Sequence, residues 1–278
     1  MTQGIVIGYD GSAQSRAAAH WAAAEAARRS TGLTVLRARP WLDHAATVGD
    51  PLDPALGEPG PDELDTLAAE LLKANPGLEV ATQAAAGDPA DALVTAAAEY
   101  ELAVLGAPEH GSLVGSVGRS VAAHTDTPVV LVPDDARVPA SGQPEVVVGL
   151  SAETSPAAVE FALAQAERLG GRVRAVHAWE MVPFWSAVPG WVPPNVDVDA
   201  QSAAIRDELT LATAPAAAAH PEVDLTVETV LGTPAHAVLT AAATADLLVL
   251  GRPHHRLGQL ARAAVHQCQT PVALVPHR

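Results

Sequence analysis

Residues 101–133 read ELAVLGAPEHGSLVGSVGRSVAAHTDTPVVLVP, and the fold is decided by this stretch. The apolar run Leu102–Leu105 predicts a buried strand. Gly106 opens a glycine-containing turn, a helix is expected from about Ser116, and a second strand follows Pro128. A strand that runs through glycines into a helix start is how open α/β folds cradle phosphate. Backbone N–H groups and the positive end of the helix dipole face the anion, and glycine lets the backbone come close. The pattern returns at 246–276 as DLLVLGRPHHRLGQLARAAVHQCQTPVALVP.

Upstream, Gly4–Tyr9 (GIVIGY) reads as a first strand ending at the turn Asp10-Gly11-Ser12. Ser12 can cap the helix expected over Ala13–Ser30, which Gly32 would stop. Leu33–Ala38 is a second strand, followed by a Pro/Gly-rich crossover, Pro40–Pro61. A helix over Asp62–Ala74, a strand over Leu78–Ala85 and a helix over Ala90–Tyr100, opened by Gly87-Asp88-Pro89, bring the chain back to residue 101. Five strands alternating with helices predict a doubly wound α/β fold. It has a five-stranded parallel sheet and a ligand crevice beyond the carboxyl ends of the strands.

The same order recurs from Gln143. Strands are expected over Gln143–Leu150, Arg172–Trp179 and Val223–Val230, and helices over Ser155–Leu169 and Gln201–Ala217. Gly232-Thr233-Pro234 mirrors Gly87-Asp88-Pro89, and Gly251 follows Gly106 by 145 positions. A register this steady marks a tandem duplication, with domains at 1–136 and 143–278 and a polar linker over Pro133–Gly142.

The formal net charge is −16, and Lys73 is the single lysine. An acidic surface repels phosphate backbones, which argues against nucleic acid as a partner. The lone Cys268 excludes an internal disulfide and fits a reducing compartment. MTQGIVIGYDGS has no basic region ahead of its apolar run, and no apolar run approaches the ~18 residues of a membrane span. A soluble cytoplasmic protein is expected. There is no G-x-S-x-G elbow and no G-x-x-x-x-G-K-[ST] loop, so no catalytic constellation is read.

These residues resemble the universal stress protein family, in its tandem two-domain form common in actinobacteria. The resemblance rests on VIGYDGS (Val6–Ser12), the Gly87-Asp88-Pro89 helix start and VLG…GSVGRSVAAHTDTPVVLVP (Val104–Pro133). In the second half it rests on VVVGLS (Val146–Ser151), Gly232-Thr233-Pro234 and VLG…GQLARAAVHQCQTPVALVP (Val249–Pro276). It implies an adenine nucleotide alpha-hydrolase-like fold, a pseudo-dimer in which the last strands, Val129–Val132 and Val272–Val275, pair antiparallel across an internal two-fold axis, and in many members ATP held without rapid turnover. The family signature is Gly, two residues, Gly, nine residues, then Gly-Ser or Gly-Thr, with an Asp at the end of the first strand.

Carried over, the resemblance implies an ATP site in domain 1 formed by Gly8, Asp10, Ala38, Leu105, Gly106, Gly115, Ser116 and Val117. The first loop is four residues short of the signature and places Glu109 at the second glycine position, unless Gly111 takes over. In domain 2, Ser151 replaces the Asp, and Gly251 to Gly258 is shorter still. Arg252, His254, His255 and Arg256 fill that loop and make it electropositive enough to attract phosphate. Asp10 has two readings, ligand contact or turn residue. The histidines read as solvated, and Cys268 as a packed small residue. The alternative function is a non-nucleotide-binding interaction protein. It would act through protein contacts, with a partner or a second copy, by way of the aromatic segment Met181–Pro194 that holds Phe184, Trp185 and Trp191.

Overall fold

The computed structural model describes residues 3–39, 63–107, 116–136, 142–151, 155–180, 197–253 and 257–277. The expected Pro40–Pro61 crossover, Glu109, Gly111, Gly115, the Trp185/Trp191 segment, His254, His255 and Arg256 lie outside them.

The described chain forms two compact units, Met1–Arg137 with Arg252–Pro276, and Val138–Gly251 with His277–Arg278. In the first, the order is β1 (Gln3–Gly8), α1 (Ala13–Arg29), β2 (Leu33–Arg39), α2 (Glu63–Ala74), β3 (Val80–Ala86), α3 (Pro89–Ala97), β4 (Tyr100–Gly106), α4 (Ser116–His124) and β5 (Val129–Val132). The second holds β6 (Glu145–Leu150), α5 (Pro156–Leu169), β7 (Arg172–Trp179), α6 (Val198–Ala219), β8 (Leu225–Leu231) and α7 (Pro234–Ala242). Strand β9 (Leu247–Arg252) follows, and then α8 (Gln259–Gln267) and β10 (Val272–Pro276), which belong to the first unit.

In the first unit β1 pairs in parallel with both β2 and β4, β3 extends the sheet beyond β2, and β5 lies beyond β4. The parallel α/β expectation is borne out, and so is the pairing of last strands. Strand β10 runs antiparallel to β5, with Val272 opposite Leu131 and Leu274 opposite Val129. In the second unit β6 is flanked by β7 and β9, and β8 pairs with β7.

The burial pattern explains the composition. Ile5, Ile7, Val35, Leu102, Val104 and Val130 form the sheet's interior, and α1 lies on it through Ala18, Ala19, Ala22, Ala23 and Ala26, all fully buried. Alanine allows close approach of helix to sheet, which is why so few aromatics are needed. Ser12 caps α1 by accepting the Ser15 amide at 3.1 Å, as expected. The helix stops two residues earlier than Gly32 suggests. Ser30 adopts the left-handed conformation (φ 52°), and its amide and that of Thr31 return to Ala27 and Ala26. The packing here requires glycine at position 4, where a Cβ would collide with the Gly32 carbonyl oxygen, whereas a Cβ on Gly32 would meet only the Glu79 carbonyl oxygen at 3.8 Å. Helix α3 is also shorter than expected, because Tyr100 already begins β4.

Candidate functional site

The first unit's sheet has its topological switch between β1 and β4. The chain moves outward from β1 to β2 and β3, then returns to β4 on the other side. The right-handed crossovers place helices on opposite faces there, and a crevice opens at the carboxyl ends of these two strands. Asp10 stands here, two residues beyond the end of β1, and Gly106 ends β4.

The Asp10–Ser12 turn is knitted by its own polar groups. The Ser12 amide donates to Asp10 Oδ1 at 2.9 Å, an Asx-turn geometry, and Ser15 Oγ donates to the Ser12 carbonyl at 3.0 Å. Burial pushes the Asp10 carboxyl up. Hydrogen bonds from Ser12, and further ones around Ser15, outweigh this and hold it below its ordinary value. The side chain is nevertheless exposed, so the crevice mouth carries a fixed negative charge. Gly11, at φ 88°, takes a conformation that a side chain would strain. The Glu63 carboxylate covers it, 3.1 Å from where a Cβ would be.

Sequence reading missed the groups around this turn. Glu63 accepts from the Tyr9 hydroxyl at 3.2 Å and from Arg37 at 2.9 Å, while Arg16 pairs with Glu70 at 2.7 Å. The partners are separated by 54, 26 and 54 positions, and no periodicity announces contacts of that range. The one available signal was the acidic first turn of α2.

The other expected residues divide by what surrounds them. Gly8 is crowded by hydrophobic side chains, with Leu105 and Leu93 carbons at 2.6 and 2.9 Å from a hypothetical Cβ. Leu105 therefore packs over Gly8, at 5% exposure. A Cβ on Gly106 would run into the backbone of α1, 2.7 Å from Gln14 C and 2.9 Å from Ser15 N. Ala38 lies near the end of β2, opposite Ala85. Ser116 and Val117 open α4, as expected, and Val117 is half-buried.

The equivalent positions of the second repeat are built differently. Ser151 is exposed at the end of β6, without the carboxylate. The space over Gly251 is taken by His277, whose Nε2 stands 2.8 Å from a hypothetical Cβ. Arg252 corrects the expectation of a phosphate-attracting loop cation. It is 2% exposed, and its guanidinium donates to the Ala123 carbonyl at 3.2 Å and to the Thr125 carbonyl at the end of α4. Burial pushes its pKa down, opposed by the charge of Asp126, and its Nε has no hydrogen-bond partner among the described residues. The signal was present in the duplication. Arg252 aligns with Ala107, which is also buried.

Among the described residues no group of three His, Cys, Asp or Glu side chains is placed to hold a metal ion, and no helix is long and apolar enough to cross a membrane. Cys268 is buried, and burial pushes its thiol pKa up, leaving it poorly nucleophilic at neutral pH.

The universal stress protein family model matches this chain twice, over residues 1–133 and 145–276. Universal stress protein Rv2005c of Mycobacterium tuberculosis is 30% identical over 293 residues, spanning 97% of this chain and 95% of that protein. Rv1996 of the same organism is 27% identical, spanning 97% and 93%. Among solved structures, a universal stress protein from Archaeoglobus fulgidus superposes with a TM-score of 0.66 at 16% identity, covering 99% and 98% of the two chains. A functionally unknown protein from Pseudomonas aeruginosa, PA1789, gives 0.56 at 13% identity, covering 99% and 93%, and these two likenesses concern the fold. With the family matched in both halves and a relative aligned along nearly its whole length, this chain belongs to the universal stress protein family.

Proposed function

We propose that this chain is a non-enzymatic, cytoplasmic stress-response protein that holds an adenine nucleotide, ATP in the first instance, in its first repeat alone. The site would be built around Asp10, Gly106, Gly115, Ser116 and Val117. The observation that carries this reading is the contrast between the two copies of one position. The end of β1 keeps an exposed, ionised carboxylate at the switch-point crevice. The end of β6 has Ser151 instead, Gly251 is covered by His277, and Arg252 is committed to helix carbonyls. Asp10 would accept hydrogen bonds from the nucleoside hydroxyls, and the start of α4 would face the phosphates with its unpaired amides. The role is one of binding and release, with no base or nucleophile placed for turnover by any motif.

Equilibrium dialysis of the full chain against ATP tests this. Binding to one site per chain is expected, and Asp10→Ala should weaken it roughly tenfold or more, the loss of a charge-assisted hydrogen bond. Absence of binding at about 1 mM ATP would dispose of the nucleotide reading.

A further inference from the structure

Helices α3, α4 and α8, all in the first unit, enclose a groove of about 970 Å³. Among the described residues its ionisable lining is Arg119, Arg262, His124 and Asp88, and Val117, Ala123 and Leu257 supply apolar wall. Asp10 and Gly106 do not line it.

Arg119 and Arg262 occupy the same position in the two repeats, 143 apart, as Pro128 and Pro271 are. Both are exposed, and neither has an ion pair or hydrogen bond among the described residues. Other described arginines are occupied: Arg16, Arg28, Arg29, Arg37, Arg172 and Arg174 with carboxylates, Arg252 with carbonyls. Arg206, on α6, shares the lack of a partner but stands elsewhere. A chain of net charge −16 has carboxylates in excess, yet it brings two bare guanidiniums to one groove. The carboxylate in the lining, Asp88, is already used, accepting the Ala90 and Asp91 amides at the start of α3. His124 Nδ1 lies 2.8 Å from the Ser120 carbonyl. Gly258 and Gln259 also line the groove, at the start of α8, which has no side-chain cap.

Two guanidiniums that line one groove repel each other, an anion in that groove relieves the repulsion, and their planar forks match phosphate oxygens. We propose that this groove binds a small organic phosphate, in a site that adjoins the proposed nucleotide site at Val117 but uses neither Asp10 nor Gly106. The phosphate lies between Arg119 and Arg262, and the organic part lies against Val117, Ala123 and Leu257.

Phenyl phosphate serves as the probe, by isothermal titration of the full chain. Saturable binding is expected, weakened roughly tenfold or more by Arg119→Gln and by Arg262→Gln, and falling with added salt. Asp10→Ala should leave it unchanged. Both side chains are exposed, so the two arginine variants should melt with the parent protein. Several results would overturn the proposal. These are no saturation by about 10 mM, affinity indifferent to both arginines, equal loss in Asp10→Ala, or a lowered melting temperature that assigns the arginines to stability.

Discussion

Replacing Arg252 by methionine keeps most of the buried volume and removes only the guanidinium. In the native protein that group holds the Ala123 and Thr125 carbonyls at the end of α4, where no further helical turn is available to accept them. Two hydrogen bonds from a charged donor are worth roughly 1.5–3 kcal/mol each. Against this stands the cost of burying the charge, evident in the lowered pKa and in an Nε without a partner among the described residues, itself about 1–3 kcal/mol. The balance predicts a loss of about 2–3 kcal/mol in Arg252→Met, because the carbonyls remain buried while their donor is gone. Chemical denaturation gives the number, and amide exchange gives its location. The Thr125 amide, bonded to the Val121 carbonyl at 3.1 Å, should lose protection before the sheet does. Arg252→Lys should recover part of the loss, since a single ammonium cannot fork between two carbonyls. If Arg252→Met is as stable as the parent, within about 0.5 kcal/mol, the desolvation cost has cancelled the hydrogen bonds, and the reasoning fails.

Two further outcomes follow from the crevice. Gly106→Ala would push a methyl into the backbone of Gln14 and Ser15, costing about 1–3 kcal/mol, whereas Gly118→Ala, whose nearest neighbour is a Leu131 carbon at 3.6 Å, should be neutral or stabilising; parallel thermal melts separate the two. Because Asp10 has a lowered folded-state pKa, its ionised form favours folding. That contribution is complete above its ordinary value of 3.8 and is lost as pH falls through the lowered one. The acid limb of a stability titration should therefore be less steep in Asp10→Asn, and an unchanged limb would count against the hydrogen bonds at Ser12.

The duplication made most of the architecture readable, since each ambiguous strand could be checked against its copy. Strand β7 runs over Arg172–Trp179, as its place as the copy of β2 implies. Errors fell where two local rules compete. Tyr100 follows a helix of high propensity but has the β preference of an aromatic, and the sheet took it. Ser30 took the left-handed turn expected of Gly32, because the helix end was fixed by packing of Ala26 against the sheet rather than by the nearest glycine. At the candidate site, the turn reading of Asp10 was legible in the sequence and matches its bond from the Ser12 amide, while its ligand role came only from the family resemblance. Glu63 and Arg37 were not legible, since their meeting depends on how α2 comes down on the crevice. The role of Arg252 was hidden for a different reason. Its residue type suggested solvent and phosphate, and only its apolar counterpart Ala107 hinted at burial.

The pairing of β5 with β10 has a consequence in time. A ribosome completes Val132 well before Val272, 140 residues later. At roughly 5–20 residues per second, the interval is on the order of ten seconds. Throughout it, the emerging first repeat carries Val129–Val132 as an open, wholly apolar edge, a template for another strand. Two nascent chains on neighbouring ribosomes could join there in the register meant for β10. Slow translation of the second half would lengthen that exposure. Synonymous codon changes between residues 142 and 271 would then alter the yield of native protein without altering a single residue.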